Sequence, residues 1–101
     1  MARRIVISPT PQSFELRSVA NLGAWVRNRR TQLNLRIDDA AALCGVTVQM
    51  LSDLETGKRA ARFDLALKVA NELGLALLAI PKQQMPDLRT ALGKAQAGDN
   101  E

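Results

Sequence analysis

The sequence predicts a mostly α-helical fold, a compact bundle of four to five helices with short strands near its N- and C-terminal ends. Hydrophobic residues make up 47% of the 101 residues, which is enough for the core of one domain. Only Phe14, Trp25 and Phe63 are aromatic, so the core must be aliphatic, as suits a small helical bundle. Two short apolar runs, Ile5 to Ile7 and Leu75 to Ile80, stop at prolines and predict the strands.

The segment from residue 37 to residue 54 predicts two short helices joined by a tight turn. Ala40, Ala41 and Cys44 place small apolar groups on one face of the first helix. Gly45 follows at once and can adopt the positive φ that ends a helix and turns the chain. Because short side chains let two steeply crossing helices approach closely, the pattern is typical of a helix-turn-helix. The alternative is an ordinary helical hairpin with no nucleic-acid role.

The second helix of this pair presents a face that the core does not use. Thr47 is a good N-cap, and Leu51 and Leu54 turn inward. In a helix-turn-helix the opposite face meets the DNA major groove. The predicted base contacts are Thr47, Val48, Gln49, Ser52 and Asp53, and the predicted phosphate contacts are Arg36, Lys58 and Arg59.

The chemistry of these side chains suits particular base edges. Gln49 matches the N6 and N7 edge of adenine, and Asp53 matches the N4 amino group of cytosine. Val48 suits a thymine methyl group.

Further helices flank this pair. One is predicted from Ser18 to about Leu33 and another from Phe63 to Leu73, with a weaker one from Asp87 to Gln96. The predicted inward residues are Leu22, Val26 and Leu33 in the first helix and Phe63, Ala66, Leu67, Ala70 and Leu73 in the second. Arg30 lies on the apolar stripe of the first helix, and a buried charge needs a partner. Glu55 is the natural one, so the two are predicted to form a structural ion pair.

Positive charge is concentrated at the N-terminal end. Residues 1–36 contain seven arginines against Glu15 alone, whereas the whole chain has a net charge of +4. A basic half on a compact domain is what phosphate binding requires. The alternative is a solvated surface with extra arginine.

The chain divides into three predicted parts. Residues 1–17 form an extended basic segment, either a short strand or a disordered arm, and residues 81–101 form a polar, partly disordered tail. Residues 18–80 form the helix-turn-helix domain with a C-terminal dimerisation strand, whose apolar residues are Leu75, Leu77, Leu78 and Ile80. A lone strand is not stable, so this one must pair with Ile5 to Ile7, with its copy in a second chain, or with both.

Several function classes do not fit the composition. No apolar run approaches the ~18–20 residues that span a bilayer, and no signal-peptide core follows the first arginines. A lone cysteine, Cys44, excludes a disulfide within the chain and fits the cytoplasm. With no histidine or tyrosine, no phosphate-binding loop and no convincing carboxylate pair, we expect no enzyme, no catalytic residue, no metal and no cofactor.

The residues over about 18–75 resemble the Xre/Cro-like helix-turn-helix family of phage repressors. The matching positions are Leu22-Gly23, Val26-Arg27, Arg30 and Leu35, then Ala41, Gly45, Val46, Leu51 and Leu54, and finally Glu55-Thr56-Gly57-Lys58. Arg30 with Glu55 matches an ion pair of that family. Arg36-Ile37 departs from it, because the family usually has Thr-Gln or Ser-Gln there, with the glutamine orienting a neighbouring glutamine.

Within that family, the segment LRSVANLGAWVRNRR and the apolar run after Leu73-Gly74 look most like HipB-type antitoxins. The resemblance implies a homodimer that binds its own palindromic operator on double-stranded DNA, represses transcription and holds a HipA-like kinase toxin. The alternatives are a stand-alone phage-type repressor, a HigA-type antitoxin, or an interaction module that has lost DNA binding.

Overall fold

Five α-helices account for most of the described chain. The structure, a computed structural model, describes residues 4–58 and 61–99, and side chains up to residue 93. The helices are α1 (Val19–Gln32), α2 (Ile37–Cys44), α3 (Val48–Thr56), α4 (Phe63–Glu72) and α5 (Met85–Asp99), with one 3-10 turn at Lys82–Gln84. The mostly helical fold is therefore confirmed, and α5 is longer than the stretch from Asp87 to Gln96 that the sequence predicts.

Local signals in the sequence set the helix ends. The side-chain oxygens of Ser18 and Thr47 accept hydrogen bonds from the backbone N–H of Asn21 and Met50, so the predicted N-cap Thr47 is confirmed and Ser18 caps α1 in the same way. Gly45 ends α2 with a φ of 71°, in the left-handed region where glycine carries no steric cost. The turn between α2 and α3 therefore follows directly from one glycine and one threonine.

One aliphatic core lies between the first four helices. Its fully buried members include Val26 from α1, Cys44 from α2, Leu51 and Leu54 from α3 and Val69 from α4. The predicted small residues of α2 are buried with them. The buried side chains of α2 are all small, which lets α3 lie close against it.

The first and third helices touch backbone to backbone. A Cβ atom added at Gly23 of α1 would lie 2.0 Å from the carbonyl oxygen of Leu54. No side chain fits in that space without moving α3, so Gly23 fixes how deeply α3 sits on the bundle.

Three predicted core residues are exposed instead. Phe63 is 72% exposed because it opens α4, one turn outside the part of that helix that packs on the core. Leu67 is exposed because its neighbours Ala66 and Val69 take the inward positions. Leu33 follows the last residue of α1 and points past the core edge.

The predicted strands do not form within the described chain. Ile5 to Ile7 and Leu75 to Ile80 have no regular secondary structure and make no β-ladder with each other. The N-terminal segment is instead held on α1, where the amide of Asn28 donates to the Ser8 carbonyl at 2.9 Å and the Ser8 N–H donates to the Thr31 hydroxyl at 3.0 Å. These buried polar side chains replace the strand partner that the sequence predicted.

The chain ends form an apolar groove with α1. The indole N–H of Trp25 donates to the Ser13 carbonyl at 2.9 Å, which holds the N-terminal segment beside α1. The carboxylate of Glu15 accepts hydrogen bonds from Arg17 at 3.0 Å and from Arg89 of α5 at 2.6 Å. The open groove has a volume of about 1090 Å³ and is lined by residues 14–17, Leu22, Trp25, residues 75–80 and α5. Among the described residues, the helices are too short or too polar to cross a bilayer.

Candidate nucleic-acid interface

The outward face of α3 carries the predicted base contacts. Leu51 and Leu54 are fully buried, so Gln49 and Asp53 lie on the opposite side of the helix. Val48 is 45% exposed beside the helix start, and Ser52 is half-buried. The structure thus brings these side chains together on one accessible surface, which we call the α3 face: Thr47, Val48, Gln49, Ser52 and Asp53.

Two hydroxyl groups at the ends of this face are engaged with the helix itself. The Thr47 oxygen accepts from the Met50 N–H at 3.0 Å, which leaves its own hydrogen free to donate. The Thr56 hydroxyl donates to the Ser52 carbonyl at 2.9 Å. The Thr47 hydroxyl can therefore donate a hydrogen bond to a ligand at the start of α3, where the helix dipole also favours a negatively charged group.

Gln49 and Asp53 are bonded to each other. The side-chain N–H of Gln49 donates to the Asp53 carboxylate at 2.9 Å, across one turn of the exposed α3 surface. The acid is therefore part of the polar arrangement on the α3 face and not an isolated negative charge.

The predicted phosphate contacts differ in whether a nearby carboxylate pairs with their charge. Lys58 is exposed just after α3. Arg36 is exposed before α2, and its guanidinium lies 3.7 Å from the Asp38 carboxylate. Arg59 lies outside the described residues.

Arg62 is a candidate phosphate contact that the sequence prediction missed. It lines a shallow depression beside α3 together with Thr47, Gln49 and Asp53. Its guanidinium binds Asp64 at 2.8 Å, and that hydrogen bond lowers the pKa of the Asp64 carboxyl. The sequence predicted phosphate contacts at Arg36, Lys58 and Arg59 alone, and helix periodicity says nothing about a loop side chain such as Arg62.

Arg30 and Glu55 are in contact, as the sequence predicts for a charge on an apolar stripe. Two guanidinium nitrogens of Arg30 donate to the two Glu55 oxygens at 2.6 and 2.9 Å, and a third donates to the Leu35 carbonyl at 2.9 Å. Their side chains are only 11% and 4% exposed. This bidentate pair joins α1 to the end of α3 and so supports the α3 face from behind.

The remaining candidate residues lie away from α3. Leu78 is 76% exposed in the segment before α5, while Leu75, Leu77 and Ile80 are half-buried along the apolar groove. Cys44 is buried in the core, and burial raises the pKa of its thiol. Within residues 4–58 and 61–99, no cluster of three or more His, Cys, Asp or Glu side chains is arranged to hold a metal ion.

Comparison with known proteins defines the class to which this arrangement belongs. A helix-turn-helix family model matches residues 26–80, more than half of the chain, so the protein belongs to the helix-turn-helix family. It is also similar to the uncharacterized HTH-type transcriptional regulator y4mF of Sinorhizobium fredii (strain NBRC 101917 / NGR234). The two are 37% identical over 62 residues, which cover 61% of this chain and 82% of that protein.

Proposed function

We propose that this protein is a sequence-specific DNA-binding transcriptional repressor that acts in the cytoplasm as the antitoxin of a HipBA-like toxin–antitoxin module. The observation that carries the DNA-binding part is the α3 face, a set of polar side chains opposite the buried leucines of a short helix. The similarity to a named transcriptional regulator supports the same role.

In this proposal α3 enters the major groove and cations around it bind the backbone. Gln49 and its neighbours on the α3 face read base edges, while Arg36, Lys58 and Arg59 bind phosphates, with Arg62 as an added contact. The backbone contact between Gly23 and Leu54 and the Arg30–Glu55 pair hold α3 rigidly in place. A rigid support is required because base hydrogen bonds depend on short distances.

The proposal includes a homodimer on a palindromic operator. One recognition helix reads only a few base pairs, so two-fold repetition is the expected solution. The segment from Leu75 to Ile80 is apolar, has no regular secondary structure and lines a groove of about 1090 Å³. Pairing this segment with its copy in a second chain would satisfy its backbone and cover Leu78.

The toxin partner rests on the resemblance of the chain to HipB-type antitoxins. We propose that the dimer holds a HipA-like kinase encoded by the adjacent reading frame. Co-expression tests this directly: the neighbouring product should arrest growth alone, and this protein should relieve the arrest and co-purify with it. Growth arrest that this protein leaves unrelieved would favour the stand-alone repressor. A co-purifying toxin without kinase activity would favour a HigA-type antitoxin.

DNA binding is tested by selection from a random duplex pool. The unmodified protein should enrich a palindrome, and Gln49→Ala should lose preference at one base pair in each half-site. Leu43→Ala, on the exposed side of α2, is the matched control and should keep the full preference. A Gln49→Ala protein that enriches an unchanged sequence would show that the recognition face is assigned wrongly.

A second candidate function is an interaction module whose helix-turn-helix no longer binds DNA. Three acidic side chains near the proposed DNA surface favour this candidate. Asp38 and Asp39 are exposed in the first turn of α2, and Asp53 lies on the α3 face. Negative charge there opposes phosphate binding. If the unmodified protein enriches no sequence and shows no salt-dependent binding to duplex DNA, this candidate replaces the repressor.

A further inference from the structure

We infer that Asp53 is a positioning residue that makes Gln49 read adenine and reject guanine, and this inference rests on the proposed DNA-binding function. The observation is the hydrogen bond from the Gln49 amide nitrogen to the Asp53 carboxylate at 2.9 Å on the outward side of α3. It assigns Asp53 a role different from direct contact with cytosine.

The chemistry of the two side chains determines which groups remain available to a base. A glutamine amide has two N–H donors and one carbonyl acceptor, whereas an ionised aspartate only accepts. With one donor of Gln49 committed to Asp53, one donor and the carbonyl oxygen remain. Adenine presents the complement of that pair in the major groove, an N7 acceptor beside an N6 donor.

Guanine demands a different arrangement. Its major-groove edge presents two acceptors, N7 and O6. To bond both, Gln49 must turn both of its N–H groups to the base and give up Asp53. Turning the amide over would instead bring the Gln49 oxygen against the carboxylate, which places two acceptors together. Asp53 therefore works by penalising the wrong base, a form of specificity that an attractive contact alone does not supply.

The position of Asp53 beside the proposed DNA surface has a cost for binding. Asp53 is half-buried at the edge of the depression that Arg62 also lines, while Arg62 itself is bonded to Asp64. The Asp53 carboxylate adds unfavourable interaction with phosphates, so losing it should strengthen non-specific binding. Specificity and affinity should consequently move in opposite directions when Asp53 is removed.

The experiment compares five proteins by selection and by binding to duplexes that differ at single base pairs. The unmodified protein gives the site, and Gln49→Ala identifies the base pair that Gln49 reads. Asp53→Ala should relax the adenine-over-guanine preference at that same base pair, on the order of tenfold, while binding unrelated duplexes more tightly. Asp53→Asn keeps a carbonyl acceptor for Gln49 and should restore most of the preference. Circular dichroism checks that each variant remains helical.

The outcomes separate this inference from the function on which it rests. Loss of preference at a different base pair in Asp53→Ala, at a C·G pair in particular, would show direct contact by Asp53 and overturn the positioning role. An unchanged adenine preference in Asp53→Ala would overturn it too, with DNA binding intact. If the unmodified protein selects no sequence, both the function and the inference fail. Equal preferences in Gln49→Ala and the double variant Gln49→Ala/Asp53→Ala would support the inference.

Discussion

The Arg30–Glu55 pair shows how one charged contact ties the fold to the candidate interface. Both side chains are nearly covered, and the guanidinium bonds two carboxylate oxygens and the Leu35 carbonyl. A buried pair adds little compared with a well-packed apolar pair, but losing one partner strands the other charge away from water. The cost of substitution should therefore depend on whether one or both residues change.

Replacing Arg30 by Met should lower the free energy of unfolding by about 3–5 kcal/mol, because the Glu55 carboxylate is left buried and unpaired. Urea unfolding followed by circular dichroism measures this. The double variant Arg30→Met/Glu55→Met should lose much less stability than Arg30→Met alone. An Arg30→Met protein as stable as the unmodified chain would show that the pair is not shielded from water.

At the scale of the element, the loop between α3 and α4 contains a charge that is already paired. Asp64 binds Arg62, and carboxylates at the start of α4 also favour that helix. We predict that Asp64→Asn frees Arg62 for a phosphate. The variant should bind all duplexes more tightly and steepen the dependence of log affinity on log salt by up to about one.

The matched control for this prediction is Asp87→Asn, which removes an acid from the first turn of α5. It changes the net charge equally but lies on a different helix. Equal salt slopes in the two variants would mean that Arg62 does not reach the DNA backbone.

The N-terminal segment and α5 are joined through Glu15, and this link depends on pH. Hydrogen bonds from Arg17 and then from Arg89 lower the pKa of the Glu15 carboxyl below its usual 4.5. Since the pKa is lowered on folding, the stabilisation is present above the unfolded pKa and disappears as the pH falls through the lower, folded pKa.

We therefore expect Arg89→Gln to raise the pKa of Glu15, as measured by an NMR titration of its carboxyl group. Arg27→Gln is the control. It removes an exposed arginine of α1 and should leave the titration of Glu15 unchanged. A Glu15 carboxyl that titrates identically in Arg89→Gln would show that α5 is not held by this contact in solution.

Local signals made the centre of this fold predictable. Two N-caps, one left-handed glycine and a run of small residues define α2 and α3, and each acts over a few residues. The hydrogen bond from the Asn28 side-chain amide to the Ser8 backbone carbonyl joins positions 20 apart, and periodicity does not encode such a contact. For the same reason the sequence placed Phe63 in the core, since a helical stripe does not show where a helix leaves the bundle.

The candidate interface was predictable in position and less so in chemistry. Leu51 and Leu54 fix the inward side of α3, so the outward residues follow from the helix period. Which polar groups bond to each other does not follow, because it depends on side-chain torsions. The Gln49–Asp53 and Arg62–Asp64 pairs both reduce the hydrogen-bond donors that remain available to a ligand. Neither pair could be identified without the structure.

At the scale of the whole molecule, residues 75–80 before α5 are the candidate dimer interface. We predict that replacing Leu77 and Leu78 together by lysine gives monomers that keep their helical content and lose cooperative operator binding. Burying two ammonium groups against a partner's apolar segment is unfavourable. Sedimentation velocity measures the mass, and circular dichroism measures the helicity.

Leu43→Lys is the control, since it places one such charge on an exposed leucine of α2, away from residues 75–80. It should leave the mass unchanged. An unmodified protein that already sediments as a monomer at micromolar concentration would refute the dimer.

The buried thiol of Cys44, at the corner between α2 and α3, can be used to measure how often this part of the protein unfolds locally. Cys44 is fully covered, and burial raises its pKa, so little reactive thiolate exists in the closed state. An alkylating reagent should therefore modify the chain only during openings that expose this corner, and its rate measures how often they occur. Any duplex that clamps the adjoining α3 should slow the alkylation, which would report occupancy of the helix without an attached label.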